Sequence, residues 1–257
     1  MRIKVDFTKS PQENASEYYT KAKELLLKKA GTEKAIAQLQ DRLEGMEKEL
    51  AGMEKPQKPA LKQKREWYEK FHWFFTSDGM LAIGGRDAVQ NESLNSKHFE
   101  DNDLFFHADI FGASVVILKN GVSAGAAARE EAAQFAASYS SAWKEGLASV
   151  DVYAMGRDQV SKSTGKGSLG TGSFLLSGER EWYRSTALGL AAFNDEGKFK
   201  VVPAKTFEKM NKSYVHCNIS IGKDKKSDSA KRVMKRLGLR DLDDVMQQLP
   251  AGTFSIS

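Results

Sequence analysis

One pair of side chains has the types and spacing for acid–base chemistry. His107 and Asp109 lie two residues apart on a predicted strand and therefore share one face of it. Such a pair could act as a general base with an orienting carboxylate, or supply two ligands to a metal. Neither use is supported by a third ligand at readable spacing, and only three other histidines exist, His72, His98 and His216. We favour a structural hydrogen-bonded pair and keep a hydrolase or nuclease as the alternative function.

A second constellation combines a flexible backbone with polar side chains. Gly84 and Gly85 close a predicted strand, and the two residues after them are Arg86 and Asp87. Gln90 and Asn91 open the following predicted helix. Arg86 could bind a phosphate or stack on a base, and the two amides could bond base edges. The alternative is structural: Asp87 caps the helix and Arg86 pairs with an acidic neighbour.

Residues 159–173 form a glycine- and hydroxyl-rich loop whose amides could cradle phosphates. The candidate RNA-binding side chains here are Ser161, Lys162, Lys166, Thr171 and Ser173. The loop lacks the G-x-x-x-x-G-K-[ST] pattern and precedes a strand, which disfavours nucleotide hydrolysis. It either touches an RNA backbone or is a plain mobile loop. The nearby run Trp182-Tyr183-Arg184 is the kind of basic and aromatic surface that single-stranded RNA uses.

The net charge of +5 is concentrated in segments. Residues 222–240 hold eight basic side chains against Asp224 and Asp228, which suits one anionic partner face. Solvation of an ordinary charged helix is the alternative. The candidates for phosphate contacts are Lys225, Lys226, Lys231 and Lys235.

Positioning these residues requires a folded region from about residue 71. Two apolar runs flank Ser77-Asp78-Gly79, a strong hairpin signal, and later strand-like runs also follow one another at hairpin spacing. Helices are predicted at 88–99, 126–147, 227–237 and 242–249. The predicted class is α+β, with a largely antiparallel mixed sheet and flanking helices, preceded by a long coiled-coil helix.

The coiled-coil prediction comes from an apolar stripe with 3-4-3-4-3 spacing. Its members are Ile36, Leu39, Leu43, Met46, Leu50 and Met53. Because nothing later in the chain is long enough to cover this stripe, we expect a partner helix, and a homodimer is one way to supply it. The predicted domains are a partial coiled-coil arm with a connecting helix at 1–70 and an RNA-binding domain at 71–257.

Composition excludes several classes of protein. The single Cys217 allows no internal disulfide and disfavours a cysteine-based zinc site. No apolar run approaches the roughly 20 residues of a membrane helix, and the N-terminus has no signal-peptide pattern. We therefore expect a cytoplasmic protein with no membrane contact, no metal and no cofactor.

Several ordered motifs strongly resemble the NFACT-R domain of the NEMF/RqcH/FbpA-like family. They are Phe71-His72-Trp73-Phe74, Gly84-Gly85-Arg86-Asp87-Ala88, Asp103-Leu104-Phe105-Phe106-His107-Ala108-Asp109, Gln159-Val160-Ser161-Lys162, Thr171-Gly172-Ser173-Phe174 and Leu249-Pro250-Ala251-Gly252. Residues 10–19 look like the start of that family's coiled-coil region. The family's N-terminal domains and the rest of its coil have no counterpart in this sequence, so we expect a C-terminal piece or a truncated relative.

The resemblance implies a function in ribosome-associated quality control. Full-length members bind the large ribosomal subunit carrying a stalled peptidyl-tRNA and recruit tRNA for untemplated tailing. We expect an RNA-binding adaptor, associated with the large subunit and tRNA, that is not itself an enzyme. A protein-interaction arm acting only through the coil is a further alternative.

Overall fold

The computed structural model describes residues 4–52, 66–164, 167–210 and 214–257. The chain divides into two compact units, Met1–Lys64 and Arg65–Ser257. In chain order the elements are α1 (Pro11–Gly52), β1 (His72–Phe75), β2 (Leu81–Gly84), α2 (Ala88–Lys97), β3 (Leu104–Ala108), β4 (Val116–Leu118), α3 (Ala126–Ser138), α4 (Ser141–Glu145), β5 (Ser149–Met155), β6 (Val160–Ser161), β7 (Ser163–Thr164), β8 (Gly167–Ser168), β9 (Leu175–Leu176), β10 (Glu181–Ala187), β11 (Leu190–Asp195), β12 (Lys198–Pro203), α5 (Ala204–Glu208), β13 (His216–Lys225), α6 (Lys226–Leu237), α7 (Leu242–Gln248) and β14 (Thr253–Ile256).

The first unit contains the long helix α1. Its start is a capping box, in which the Glu13 amide donates to Ser10 Oγ at 3.2 Å and the Ser10 amide donates to Glu13 Oε2 at 2.7 Å. The stripe predicted for a coiled coil is exposed along α1, with Leu39 65% and Leu43 58% accessible. Met53 lies outside the described residues, and the Leu50 side chain is not described either.

The predicted connecting helix, at about residues 60–70, is described only over residues 66–70, which form hydrogen-bonded turns instead. The amides of Glu69 and Phe71 donate to the carbonyls of Glu66 and Tyr68, three residues earlier in each case. The Trp67 ring stacks on His98 at 4.5 Å, which holds this segment against the second unit's own surface. The division into domains at residue 70 stays a prediction.

The second unit has two main sheets. The first has the strand order β1-β2-β4-β3-β5-β10 and the second the order β12-β11-β13-β14. Neighbouring strands in both sheets are antiparallel. The predicted α+β class, with antiparallel strands, flanking helices and a long N-terminal helix, is therefore confirmed. The sequence predicted one sheet, whereas the structure has two main sheets. They are separate because β11 pairs with β12 and β13 and does not pair with β10.

The first sheet is buried on both faces, and the alternation of side chains along β3 divides the core. Phe106 packs in a cluster with α3 and the second sheet, whereas Phe105 packs on the opposite face with Leu94 of α2. The segment around β6 and β9 also packs on that second face through Val160 and Phe174. None of the helices in the described parts of the chain is long and apolar enough to span a bilayer.

A fully buried carboxylate ties the elements around α3 together. Glu131 accepts hydrogen bonds from the Ser77 amide at 2.8 Å and the Ser77 hydroxyl at 2.6 Å, which fix the turn between β1 and β2. It also accepts from Thr206 Oγ1 at 3.1 Å and Lys209 Nζ at 3.0 Å in and beside α5. Because four donors, one of them a cation, surround this charge, the cost of burying it is compensated.

Candidate nucleic-acid interface

Three neighbouring strands place a row of rings on the second face of the first sheet. In the antiparallel register His107 of β3 faces Tyr153 of β5, and Tyr153 in turn faces Trp182 of β10. Residues directly opposite one another on adjacent strands project to the same side of a sheet. The ring centroids of Tyr153 and Trp182 are 5.5 Å apart in an edge-on arrangement.

Two arginines lie over these rings. The Arg180 guanidinium carbon is 4.5 Å from the centroid of Tyr153, and that of Arg184 is 3.8 Å from the centroid of Trp182. Arg184 and Ser185 fall in a β-bulge, where Ser185 has a positive φ of 46°. We call His107, Tyr153, Trp182, Arg180 and Arg184 the stacking row.

Acidic neighbours orient the two arginines. Asp151 accepts from Arg184 Nη1 at 2.6 Å and from the Ser185 amide at 2.7 Å. The Ser185 amide first, and then Arg184, hold the pKa of Asp151 below its ordinary value. The Arg180 Nη1 atom is 3.9 Å from Asp109 Oδ1. Both guanidinium planes are thus held near the rings while remaining open to solvent.

A cleft of about 470 Å³ adjoins the row and shares Tyr153 and His107 with it. Its lining combines aromatic and aliphatic side chains with a similar share of polar groups. The predicted site residues that line it are Arg86, Asp87, Asn91, His107, Thr171 and Ser173. The structure therefore brings together side chains from three of the four predicted segments.

The side of the cleft next to α2 is formed by the residues that follow Gly84 and Gly85. Asp87 caps α2 by accepting from the Gln90 amide at 2.8 Å, as the structural alternative predicted. The buried Asn91 Oδ1 accepts from the Val115 amide at 3.1 Å. A Cβ on Gly85 would lie 2.1 Å from that same Oδ1 atom, so only glycine fits here. Asn91 thus has a structural bond in place of a free base-reading oxygen.

Arg86 and Gln90 are also engaged within the domain. Arg86 Nη2 donates to the Phe71 carbonyl at 3.1 Å and Nη1 donates to Gln247 Oε1 at 3.1 Å. Gln90 accepts from the Arg86 amide at 3.1 Å and donates to the Lys70 carbonyl at 3.3 Å. Arg86 is thus held by the chain before β1 and by helix α7, through a backbone carbonyl and a side-chain amide. The acidic partner of Arg86 stays a prediction.

The loop at 161–173 is anchored to α2 by Glu92. Lys162 Nζ donates to Glu92 Oε2 at 2.8 Å, and the Gly172 amide donates to the same oxygen at 3.1 Å. These two bonds, that of Lys162 first, hold the pKa of Glu92 below its ordinary value. Ser161 Oγ donates to the Ser163 carbonyl at 3.2 Å, and Lys166 lies outside the described residues. Lys162 is thus committed to Glu92, whereas Thr171 and Ser173 are exposed at the cleft.

The acid–base pair suggested by sequence is not formed. His107 Nδ1 bonds the Tyr153 hydroxyl at 3.2 Å, while Asp109 faces Arg180. Burial lowers the pKa of His107 despite raising effects of nearby carbonyls and Asp109, so the ring is neutral at pH 7. Across the part of the chain that the structure describes, no His, Cys, Asp and Glu side chains group as a metal site.

None of the four predicted lysines of the basic segment lines the cleft, and they differ among themselves. Lys231 and Lys235 are exposed on α6, and Lys225 is exposed at its start. Lys226 is half-buried and its Nζ donates to the Leu249 carbonyl at 2.8 Å. Burial first, and then the charge of Arg86, lower the pKa of Lys226. Its geometry is that of an inward-facing structural lysine, because its chain bridges α6 to the end of α7.

Sequence reasoning missed several side chains at this interface. Tyr153 has no motif of its own and is found only through its register with His107. Arg180 could have been found, because it alternates with Trp182 and Arg184 at strand spacing. Phe111 lines the cleft and is 99% exposed. Its ring therefore lacks the stabilisation of about 1.5–3 kcal/mol that burying a phenylalanine side chain gives.

Comparisons with known proteins identify the family. Residues 70–178 match the NFACT protein RNA binding domain. The archaeal Rqc2 homolog aRqcH of Methanocaldococcus jannaschii is 36% identical over 202 residues, which cover 76% of this chain and 30% of that protein. The ribosome quality control complex subunit NEMF homolog of Drosophila melanogaster is 34% identical over 200 residues, covering 72% of this chain and 19% of that protein.

A weaker similarity links this chain to a solved structure, the C-terminal part of the fibronectin/fibrinogen-binding protein from Streptococcus suis. The identity is 25% and the TM-score 0.40, over 53% of this chain and 52% of that one. This chain spans less than a third of the length of the two Rqc2 and NEMF relatives. The family resemblance seen in the sequence is confirmed by the domain match and these relatives: the chain contains an NFACT-R domain and belongs to the NEMF/RqcH family.

Proposed function

We propose that this chain is the RNA-binding part of a ribosome quality control factor, and that it binds RNA through the stacking row. The observation that carries the proposal is the partly exposed Trp182 ring, in register with Tyr153 and His107 on adjacent strands, with the two solvent-open arginines Arg180 and Arg184 5.6 Å and 3.8 Å from its centroid. The partly exposed Trp182 ring can stack on a base of any kind, while the guanidinium groups bind phosphates; Tyr153, only 5% exposed, supports Trp182 from the core. The match to an RNA binding domain family supports the same conclusion.

The RNA that we propose is that of the large ribosomal subunit together with tRNA. Support comes from the relatives, which carry the names of ribosome quality control complex subunits and an Rqc2 homolog. On this proposal the chain acts in the cytoplasm as an adaptor, and catalysis is no part of its activity. Exposed Lys225, Lys231 and Lys235 would add phosphate contacts beyond the row, whereas Lys226 would not because it bonds the Leu249 carbonyl.

The test is RNA affinity measured by fluorescence anisotropy as a function of salt. Replacing Arg180 and Arg184 with Gln should lower the log–log salt slope by about 0.7 for each phosphate of a single strand that the protein no longer neutralises. Trp182→Ala should weaken binding without changing that slope, because stacking releases no counterions. The matched control replaces Lys97 and Lys144 with Gln, which removes the same charge from exposed helix positions away from the cleft.

Each outcome of these measurements contradicts a different part of the proposal. Unmodified protein that fails to bind tRNA or ribosomal RNA would contradict the proposed function as a whole. Normal RNA binding by both row variants, with an unchanged slope, would remove the row from the interface. Turnover of RNA or peptidyl-tRNA that is abolished in His107→Ala, with the fold retained, would favour the hydrolase alternative.

A further inference from the structure

We infer that the cleft beside the stacking row receives one unpaired nucleotide, whose base stacks on Phe111 and enters among the interior rings. This inference rests on the proposed function, because it specifies what form of RNA the same surface takes. Phosphate binding by the arginines of the row would by itself leave the cleft without an occupant.

The size and lining of the cleft fit a base. Its volume of about 470 Å³ is that of a small-molecule pocket, and a double helix cannot enter it. Phe105, Phe174 and Tyr153 line its interior, and the rings of Phe105 and Phe174 meet edge-on at 6.1 Å. An interior of rings with polar groups at the edge is the usual environment of a flat heterocycle.

The charges around the cleft favour the base over the phosphate. Within the lining, Arg86 is accompanied by Asp87 and donates to the Phe71 carbonyl. His107 is neutral because burial lowers its pKa. The open cationic groups, Arg180 and Arg184, lie outside on the row. A nucleotide would therefore keep its phosphate on the arginines and place its uncharged base in the cleft.

Phe111 supplies the observation that points to an occupant. Its ring is 99% exposed, yet its backbone is held in place, since Ser141 Oγ donates to the Phe111 carbonyl at 2.6 Å. Gly112 follows with a φ of +78°, which fixes the turn that carries the ring. Among the described residues no aromatic ring packs against Phe111. An uncovered ring that lines the cleft and is carried by an anchored backbone is suited to stack on an incoming base.

Polar groups at the edge can hydrogen-bond that base or its ribose. The side chains of Thr171 and Ser173 are exposed at the cleft, on the loop that Glu92 anchors. A hydroxyl both donates and accepts, so these groups accept more than one base. We therefore expect a preference for unpaired over paired nucleotides and little preference among the four bases.

The experiment compares three RNAs that carry 2-aminopurine: a hairpin with the analogue as a single bulge, the same hairpin with the analogue paired, and a single strand. Full-length chain should bind the bulged and single-stranded RNAs more tightly than the paired hairpin, and quench the analogue only in those two. Phe111→Ala should weaken the first two by about 5- to 150-fold, the range for one stacked base, and leave the paired hairpin unchanged. Phe111→Trp should retain binding.

The control is Phe75→Ala, which removes another exposed phenylalanine from a separate groove. Thermal unfolding of each variant establishes that the fold is retained. Equal affinity for paired and bulged hairpins, unaffected by Phe111→Ala, would overturn this inference while leaving the proposed function standing. Absence of binding to every RNA would instead refute the proposed function. Loss of affinity in Phe75→Ala equal to that in Phe111→Ala would also count against the cleft.

Discussion

Adding one methyl group at Gly85 tests whether Asn91 builds the cleft or reads RNA. In the structure the Gly85 amide donates to the Val115 carbonyl at 3.0 Å, and the Val115 amide donates to Asn91 Oδ1 at 3.1 Å. A Cβ on Gly85 would overlap that Oδ1 atom at 2.1 Å and the Asn91 backbone nitrogen at 2.9 Å. Gly85→Ala must therefore displace the Asn91 side chain.

Two costs set the size of the effect. Losing the Asn91 bond leaves the Val115 amide buried without an acceptor, which costs about 1–3 kcal/mol. Fitting the added Cβ atom against the packed Asn91 backbone costs about a further 1–3 kcal/mol. We expect Gly85→Ala to lower the free energy of unfolding by about 2–6 kcal/mol, a large part of the stability of a typical domain. Asn91→Ala alone should show only the first cost.

A double-mutant cycle measured by urea unfolding checks the reasoning. Because both single variants lose the same Val115 bond, Gly85→Ala with Asn91→Ala should cost about 0.5–3 kcal/mol less than the sum of the two. Tryptophan fluorescence and circular dichroism report the transition. Additive costs would show that Gly85 and Asn91 are not coupled. Asn91→Ala that keeps full stability but loses RNA affinity would restore Asn91 as a base-reading residue.

Three further predictions concern other parts of the molecule. Burial, with the charges of Arg86 and Lys226, holds the pKa of His72 well below its ordinary 6.5, so the unfolded chain takes up a proton that the folded chain does not. Stability should therefore fall below pH 6.5 by up to about 1.4 kcal/mol per pH unit, and His72→Phe should reduce this slope in pH-dependent unfolding. Glu92→Gln should weaken the anchor of the loop at Gly172 and speed its amide hydrogen exchange, with little change in α3. The exposed α1 stripe should self-associate, and replacing Leu39 and Leu43 with Glu should give a monomer by analytical ultracentrifugation with the second unit still folded.

Local patterns predicted those parts of the site that depend on neighbours in sequence. The Asp87 cap of α2 follows from a short polar side chain placed before a helix, and it has the predicted bond to the Gln90 amide. The hairpin around residues 77–79 follows equally from turn chemistry and is found between β1 and β2. Both features are encoded within a short stretch of consecutive residues.

Contacts between distant segments could not be predicted in this way. The Tyr153 partner of His107 lies 46 residues away, and the Lys162 partner Glu92 lies 70 residues away. In the sequence, Asp109 is the nearest polar partner for His107. In the structure the register of β3 and β5 determines the bond, which His107 forms with Tyr153. The same limit explains Lys226, whose inward direction depends on how α7 ends against α6.

The alternation of side chains along β3 separates the core between the two sheets from the face for which we propose RNA binding. Phe106 anchors the strand in the core on one face, and His107 reaches the stacking row on the other. Side chains that bond within the domain, such as Asn91 and Glu131, should then control folding, because removing them leaves buried donors without acceptors. On the proposed function, the exposed Phe111 and Arg180 would instead control RNA binding. If the proposal holds, such a division lets one scaffold keep a fixed cleft while the exposed Phe111 and the two arginines determine which RNA binds there.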